Sequence, residues 1–108
     1  MRVRSGDTAG RIANANRPAG VSLDQMLVAM LRSNPNAFIN GNVNRLRAGT
    51  VLQIPSREQA LETSAQEARQ IVAAQSRDFN AYRRSLAAKA PRAAVQAAAR
   101  SASGQVQA

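Results

Sequence analysis

Five apolar positions early in the chain fall into a single stripe that only a helix accounts for. Leu23, Met26, Leu27, Met30 and Leu31 stand at i, i+3, i+4, i+7 and i+8. The start of this helix is marked three times over. Ser22 and Gln25 have capping-box spacing, Val21 and Met26 are placed as a hydrophobic staple, and Asp24 lies where the helix dipole favours a negative charge. Asn34-Pro35 ends it, because a proline disfavours helical geometry in the residue before it. Upstream, Val3 between Arg2 and Arg4 reads as a short strand with one inward residue, stopped by the Ser5-Gly6-Asp7-Thr8 turn. Asp7 or Thr8 then caps a helix over residues 9–16 that turns Ile12 and Ala13 inward, and Pro18 and Gly20 stop it. Downstream, residues 36–49 form an Asn- and Gly-rich connection anchored by Phe38, Ile39, Val43 and Leu46. Residues 51–55 alternate as a second strand, with Leu52 and Ile54 on one face and Pro55 ending the pairing.

The order strand, helix, helix, strand predicts an α+β unit over residues 1–56, with a two-stranded antiparallel sheet carrying two helices on one face. From Ser56 the texture changes to Glu, Gln, Arg and Ala, with no Gly or Pro until Pro91, which predicts a charged helix over residues 57–88. Leu61, Ala65, Ala68, Val72, Gln75, Phe79, Tyr82 and Leu86 write a period of 3.5 along it, the mark of a coiled-coil seam. The seam is thin at Ala65, Ala68 and Gln75, which favours a helix lying on the small unit or standing free in solvent over a true coiled coil. Residues 89–108, rich in Ala, Arg, Gln and Ser, bury too little apolar surface to offset their ordering entropy and are expected to be disordered.

Composition narrows the chemistry. The chain has no Cys and no His, which removes disulfides, thiolate metal sites, the commonest general base and the commonest neutral metal ligand. Within the first unit Asp7 and Asp24 are the only carboxylates, and Asp24 is accounted for as a helix-start charge, so no acid and base pair remains. Serines are present without a histidine to activate them. A binding protein is therefore expected, not an enzyme, with no cofactor and no metal. The net charge of +9 calls for an anionic partner: nucleic acid, lipid headgroups and acidic cell-wall polymer all fit its sign. Nucleic acid ranks last, because three aromatic residues in the whole chain leave almost nothing to stack on bases. No apolar run approaches the roughly 20 residues of a membrane span, and Met1-Arg2-Val3-Arg4 runs straight into a turn, unlike a signal peptide.

The Ser-Gly-Asp-Thr turn, the capped helix ending in Asn34-Pro35 and the Gly49-preceded segment ending in Ile54-Pro55, in that order, resemble the βααβ LysM module. The run NPNAFINGNVNRLRAGTVLQIP is similar to the LysM segment of FimV-type proteins, pilus- and polarity-related scaffolds of Gram-negative bacteria, and Ala81-Tyr82-Arg83 fits that family as well. The resemblance implies binding of N-acetylglucosamine units of peptidoglycan in a shallow groove between two loops. One loop is Gly6, Asp7, Thr8, Ala9 and Gly10; the other is Asn34, Pro35, Asn36, Ala37, Phe38 and Ile39. It also implies a periplasmic location within a larger inner-membrane protein whose targeting segment lies outside these residues. LysM modules commonly carry a large apolar or aromatic pair after Gly-Asp-Thr, and Ala9-Gly10 stand there instead. That leaves two outcomes open, weaker glycan affinity or compensation from Phe38 or Ile39.

The chemistry of such a groove is sensible by itself. An N-acetyl group offers one donor, one acceptor and a methyl, so it needs free backbone partners beside a small apolar wall. A single shallow site binds in the range of about tens of micromolar to millimolar. Each residue has a structural role to weigh against the functional one: Gly6-Asp7-Thr8 as turn and cap, Asn34-Pro35 as helix stop, Asn40, Asn42 and Asn44 as turn residues tolerant of positive φ, Arg45 and Arg47 as solvated charges. The competing function is a protein interaction or self-association through the 57–88 helix, with sugar binding weak or lost.

Overall fold

A computed structural model of the chain describes residues 1–89; the disorder expected for residues 89–108 falls, from residue 90 onward, outside the described residues. Four helices follow in order: α1 (Ala9–Asn16), α2 (Leu23–Ser33), α3 (Arg57–Ala60) and α4 (Ala65–Lys89), with two short 3-10 turns, Pro35–Ala37 and Ile39–Gly41, between α2 and α3. Local signals explain the first two. Thr8 caps α1 by accepting from the Arg11 N–H, while Asp7 closes the preceding turn by accepting from the Arg4 N–H at 2.8 Å. At α2 the Ser22 hydroxyl accepts from Gln25 N and the Gln25 side chain accepts from Ser22 N, the reciprocal pair that capping-box spacing predicts.

The expected α+β architecture is overturned: the described residues are mostly helical and form no strand. What was read as a two-stranded antiparallel sheet is one isolated antiparallel bridge, Arg2 to Val51, flanked by a few backbone hydrogen bonds such as Val3 N to Thr50 O at 2.8 Å and Gly49 N to Val3 O at 2.7 Å. Other contacts take over on either side of it. Gly49, at φ +85°, turns the chain immediately before the paired stretch. On the other side the Asn34 side chain takes over the backbone of Gln53, accepting from its N–H at 2.8 Å and donating to its carbonyl at 2.9 Å. Between these two points Met1 N donates to Leu52 O at 2.9 Å and Leu52 N to Met1 O, so the pairing runs from Val3 back to Met1. The alternation fails after Leu52: Leu52 is buried, but Ile54 is 37% exposed and Pro55 turns inward instead.

The core centres on α2. Met26 and Met30 are fully buried, together with Val3, Val28 and Leu52, and each such side chain contributes about 1.5–3 kcal/mol by leaving water. Burial extends past the predicted stripe to Val28 and Ala29, while Leu23 and Leu31 are only partly buried. The reason is that α2 is covered by more than one element: α1, α3 and α4 all pack against it.

The single helix expected over residues 57–88 is interrupted at residues 61–64. Buried Thr63 supplies the break, its carbonyl accepting from Gln25 Nε2 at 2.9 Å and its hydroxyl from Arg32, and Ser64 then caps α4 by accepting from Glu67 N. α4 lies on the small unit. Ala68 is fully buried against it and Val72 packs on the core. Gln75 is a polar clamp: its side-chain oxygen accepts from Val43 N at 2.8 Å and its carbonyl accepts from Asn42 Nδ2 at 2.9 Å. Beyond Phe79 the seam grows more exposed, Tyr82 at 39% still touching Arg45 of the module and Leu86 reaching 52%.

Candidate functional site

The first predicted loop borders a cleft of about 380 Å³. Asp7, Thr8, Ala9 and Gly10 form one side, Val43, Asn44, Arg45 and Leu46 the other, and Phe79 of α4 closes an end. Gly6, at φ +92°, makes the turn that brings residue 7 back over Arg4 without itself lining the cleft. Among the described residues the N–H groups of Ala9 and Gly10 have no hydrogen-bond partner, as the first turn of a helix leaves them, because Thr8 satisfies only Arg11 and Ile12. Ala9 is buried and Gly10 half-buried, and a Cβ built on Gly10 would meet nothing within 4 Å.

The facing wall is a tight excursion from the core. Residues 37–39 and 45–47 pair back to back through Ile39 N to Arg45 O and Arg47 N to Ala37 O, both 2.8 Å, around the isolated bridge Phe38 to Leu46. Asn40, at φ 55°, and Gly41, at φ 66°, turn the tip. Asn42 holds it together, its side-chain oxygen accepting from Asn44 N at 2.8 Å and from Asn44 Nδ2 at 3.0 Å. Arg45 is not a free solvated charge: its guanidinium carbon stands 4.2 Å from the Tyr82 ring centroid, and Nη2 donates to the Tyr82 hydroxyl at 3.3 Å.

The second predicted loop lies elsewhere. Asn34, Pro35, Asn36 and Ala37 border a separate cleft of about 240 Å³, shared with Thr50, Val51 and Gln53. Asn34 is buried, and its amide nitrogen donates to Met30 O as well as to Gln53 O, so its hydrogen-bonding capacity is largely spent on the fold. Ala37 and Phe38 are core residues, 3% and 2% exposed, which leaves Phe38 unable to compensate for the small Ala9-Gly10 pair. Ile39 is half-buried and opens the 3-10 turn at the base of the wall. Sequence reasoning therefore passed over the residues that face the first loop. Val43 is buried as the anchor its apolar character predicts, while Asn44 is exposed and Arg45 and Leu46 are half-buried at the cleft, and the polar pair beside an apolar residue was the available signal. Nothing local in the sequence could have brought in Phe79, 33 residues beyond Leu46.

The LysM domain family matches residues 1–55, the stretch that includes the first loop, α1, α2 and the facing wall. Over 103 residues, 95% of its length, the chain is 41% identical to the motility hub protein FimV of two Pseudomonas aeruginosa strains, and it spans 11% of the length of those relatives. No solved structure matches it. Helices α3 and α4 lie outside the family match and inside the similarity to the motility hub proteins. With its Gly-Asp-Thr turn, its paired helices and a match covering residues 1–55, the chain belongs to the LysM domain family.

Proposed function

We propose that the chain is a non-catalytic peptidoglycan-binding module of a motility and pilus-assembly scaffold, taking N-acetylglucosamine units in the cleft between residues 7–10 and 43–46. The observation that carries this is the cleft itself: Ala9 and Gly10, whose backbone N–H groups have no partner among the described residues, line it together with exposed Asn44 and half-buried Leu46. Free N–H groups suit the acetyl carbonyl, and half-buried Leu46 suits its methyl. At about 380 Å³ the cleft falls near the lower end of the roughly 300–1,000 Å³ of small-ligand pockets, which fits one or two sugars and weak affinity. Similarity to motility hub proteins supports a place in a periplasmic portion of a larger membrane-anchored scaffold. Among the described residues no helix is long and apolar enough to cross a membrane.

Retention on purified peptidoglycan sacculi at high salt, which screens the attraction of a +9 chain for anionic polymer, tests the binding. Titration with N-acetylglucosamine oligomers tests the place: amide shifts are expected at residues 7–10 and 43–46, and shifts confined to other residues would remove this cleft from the reading. Self-association through the α4 seam is the weaker reading, because the module already covers the seam from Ala68 through Gln75.

A further inference from the structure

The family match ends at residue 55, yet the cleft is closed by a side chain 24 residues beyond it. Ala9 and Gly10 offer a bound sugar little apolar surface, and of the three aromatic residues only Phe79 lines this cleft. Phe38 is buried in the core and Tyr82 is engaged by Arg45. Phe79 is half-buried, with the Arg83 guanidinium carbon 5.8 Å from its ring centroid. It borders a second cleft as well, of about 240 Å³, lined by Asn40, Asn42, Arg45, Asp78 and Tyr82. The two clefts share Phe79 and Arg45, so they adjoin where α4 meets the module.

We infer that α4 is part of the glycan site: Phe79 is a platform for the apolar face of a pyranose ring, and the cleft beyond it is a second sugar subsite, with hydrogen-bonding groups from Asn40, Asp78 and Tyr82. The inference rests on the proposed sugar binding at residues 7–10 and 43–46. A pyranose presents axial C–H groups on one face and hydroxyls around its edge, so an aromatic face flanked by amide, carboxylate and phenol matches both. The Gln75 clamp holds the ring in place by tying α4 to Val43 and Asn42. The occupant is a chain of at least two sugars, since one ring cannot fill both clefts.

The test uses the full 108-residue chain, which contains no tryptophan. Wild type is titrated with N-acetylglucosamine, its dimer and its tetramer, alongside Phe79→Ala and Phe79→Trp. Wild-type affinity is expected to rise on going from one sugar to four. Phe79→Ala is expected to bind the tetramer about tenfold more weakly and to lose most of that gain, the loss of one aromatic stacking contact. Phe79→Trp is expected to keep tetramer affinity, and its emission should move to the blue on saturation, whereas Ala73→Trp, on an exposed position of α4, should not respond. Tetramer binding by wild type that Phe79→Ala leaves unchanged, or a silent Phe79→Trp emission at saturation, overturns the role of α4 and leaves the module's own sugar site standing. Absence of binding by wild type overturns both. If Phe79→Ala does not fold, the Phe79→Trp emission and length dependence decide alone.

Discussion

The two loops that flank α1 and α2 carry similar residues and do opposite work. Residues 34–38 bring Asn, Pro, Asn, Ala and Phe to a surface turn, and most of that chemistry is consumed internally: Asn34 makes three side-chain hydrogen bonds to backbone, while Ala37 and Phe38 are buried. Residues 7–10 spend only two side-chain acceptors, from Asp7 and Thr8, and keep two backbone donors that have no partner among the described residues, at a cleft. A polar loop residue is a candidate ligand contact only while its hydrogen-bonding capacity is unspent, and sequence lists capacity without showing how it is used.

Removing Asn34 should give the largest effect and test the structural side of the contrast. Asn34→Ala strands the Gln53 N–H and weakens the hold on two carbonyls in a buried place, so unfolding by urea should show a loss of about 3 kcal/mol. The fraction that remains folded should bind N-acetylglucosamine oligomers as wild type does. A specific loss of binding with stability unchanged would place Asn34 on the ligand side after all.

Filling the open loop should give the reverse pattern. Gly10→Leu puts a branched side chain on a residue that lines the cleft, where a Cβ meets nothing, and leucine is the better helix former. Oligomer affinity should fall by roughly tenfold, about 1.4 kcal/mol, with the unfolding midpoint equal to or above wild type. Unchanged affinity would mean that sugars bind somewhere other than beside α1.

What was legible follows the same division between local and distant partners. The caps at Thr8 and Ser22, the helix stop at Asn34-Pro35 and the stripe of α2 depend on residues within a turn of one another, and all stand in the structure as the spacing implies. The alternation over residues 51–55 predicts a strand, but only Arg2 and Val51 form a bridge, and the Gln53 backbone is held by a side chain 19 residues away, on Asn34. The interruption at residues 61–64 depends on Gln25 and Arg32 reaching Thr63 from α2, which no composition reveals. Gln75 was read as a weak point in an apolar seam, and it is the tightest polar link between α4 and the module. At the site, the turn over residues 6–10 was visible as a motif, but its facing wall was not, because Val43 and Leu46 look the same in sequence whether they anchor a loop or face a cleft.

That link offers a third, smaller effect. Gln75→Ala leaves the buried Val43 N–H without its acceptor while keeping the Asn42 bond to the Gln75 carbonyl, so stability should fall by about 1 kcal/mol. Hydrogen exchange at the Val43 amide should speed up more than at core positions such as Met26, since the opening is local. Uniform acceleration would show that α4 and the module unfold as one unit.

The smallest effects separate two glycines within the open loop itself. Gly6 sits at φ +92°, a conformation L side chains rarely adopt, so Gly6→Ala should destabilise by about 1 kcal/mol even though a Cβ there meets no neighbour. Gly10 lies in the first turn of α1 outside the left-handed region and is equally uncrowded, so Gly10→Ala should stabilise by about 0.5–1 kcal/mol through lower chain entropy in the unfolded state. The two variants add the same methyl four residues apart, and thermal unfolding should move in opposite directions. A single methyl on Gly10 leaves most of the cleft open and its N–H in place, so oligomer affinity should change by less than about threefold, in contrast to the leucine variant. If alanine at Gly10 lowered affinity as far as leucine does, the bound sugar would have to lie against the Gly10 backbone itself, and the acetyl group would be assigned to that end of the cleft.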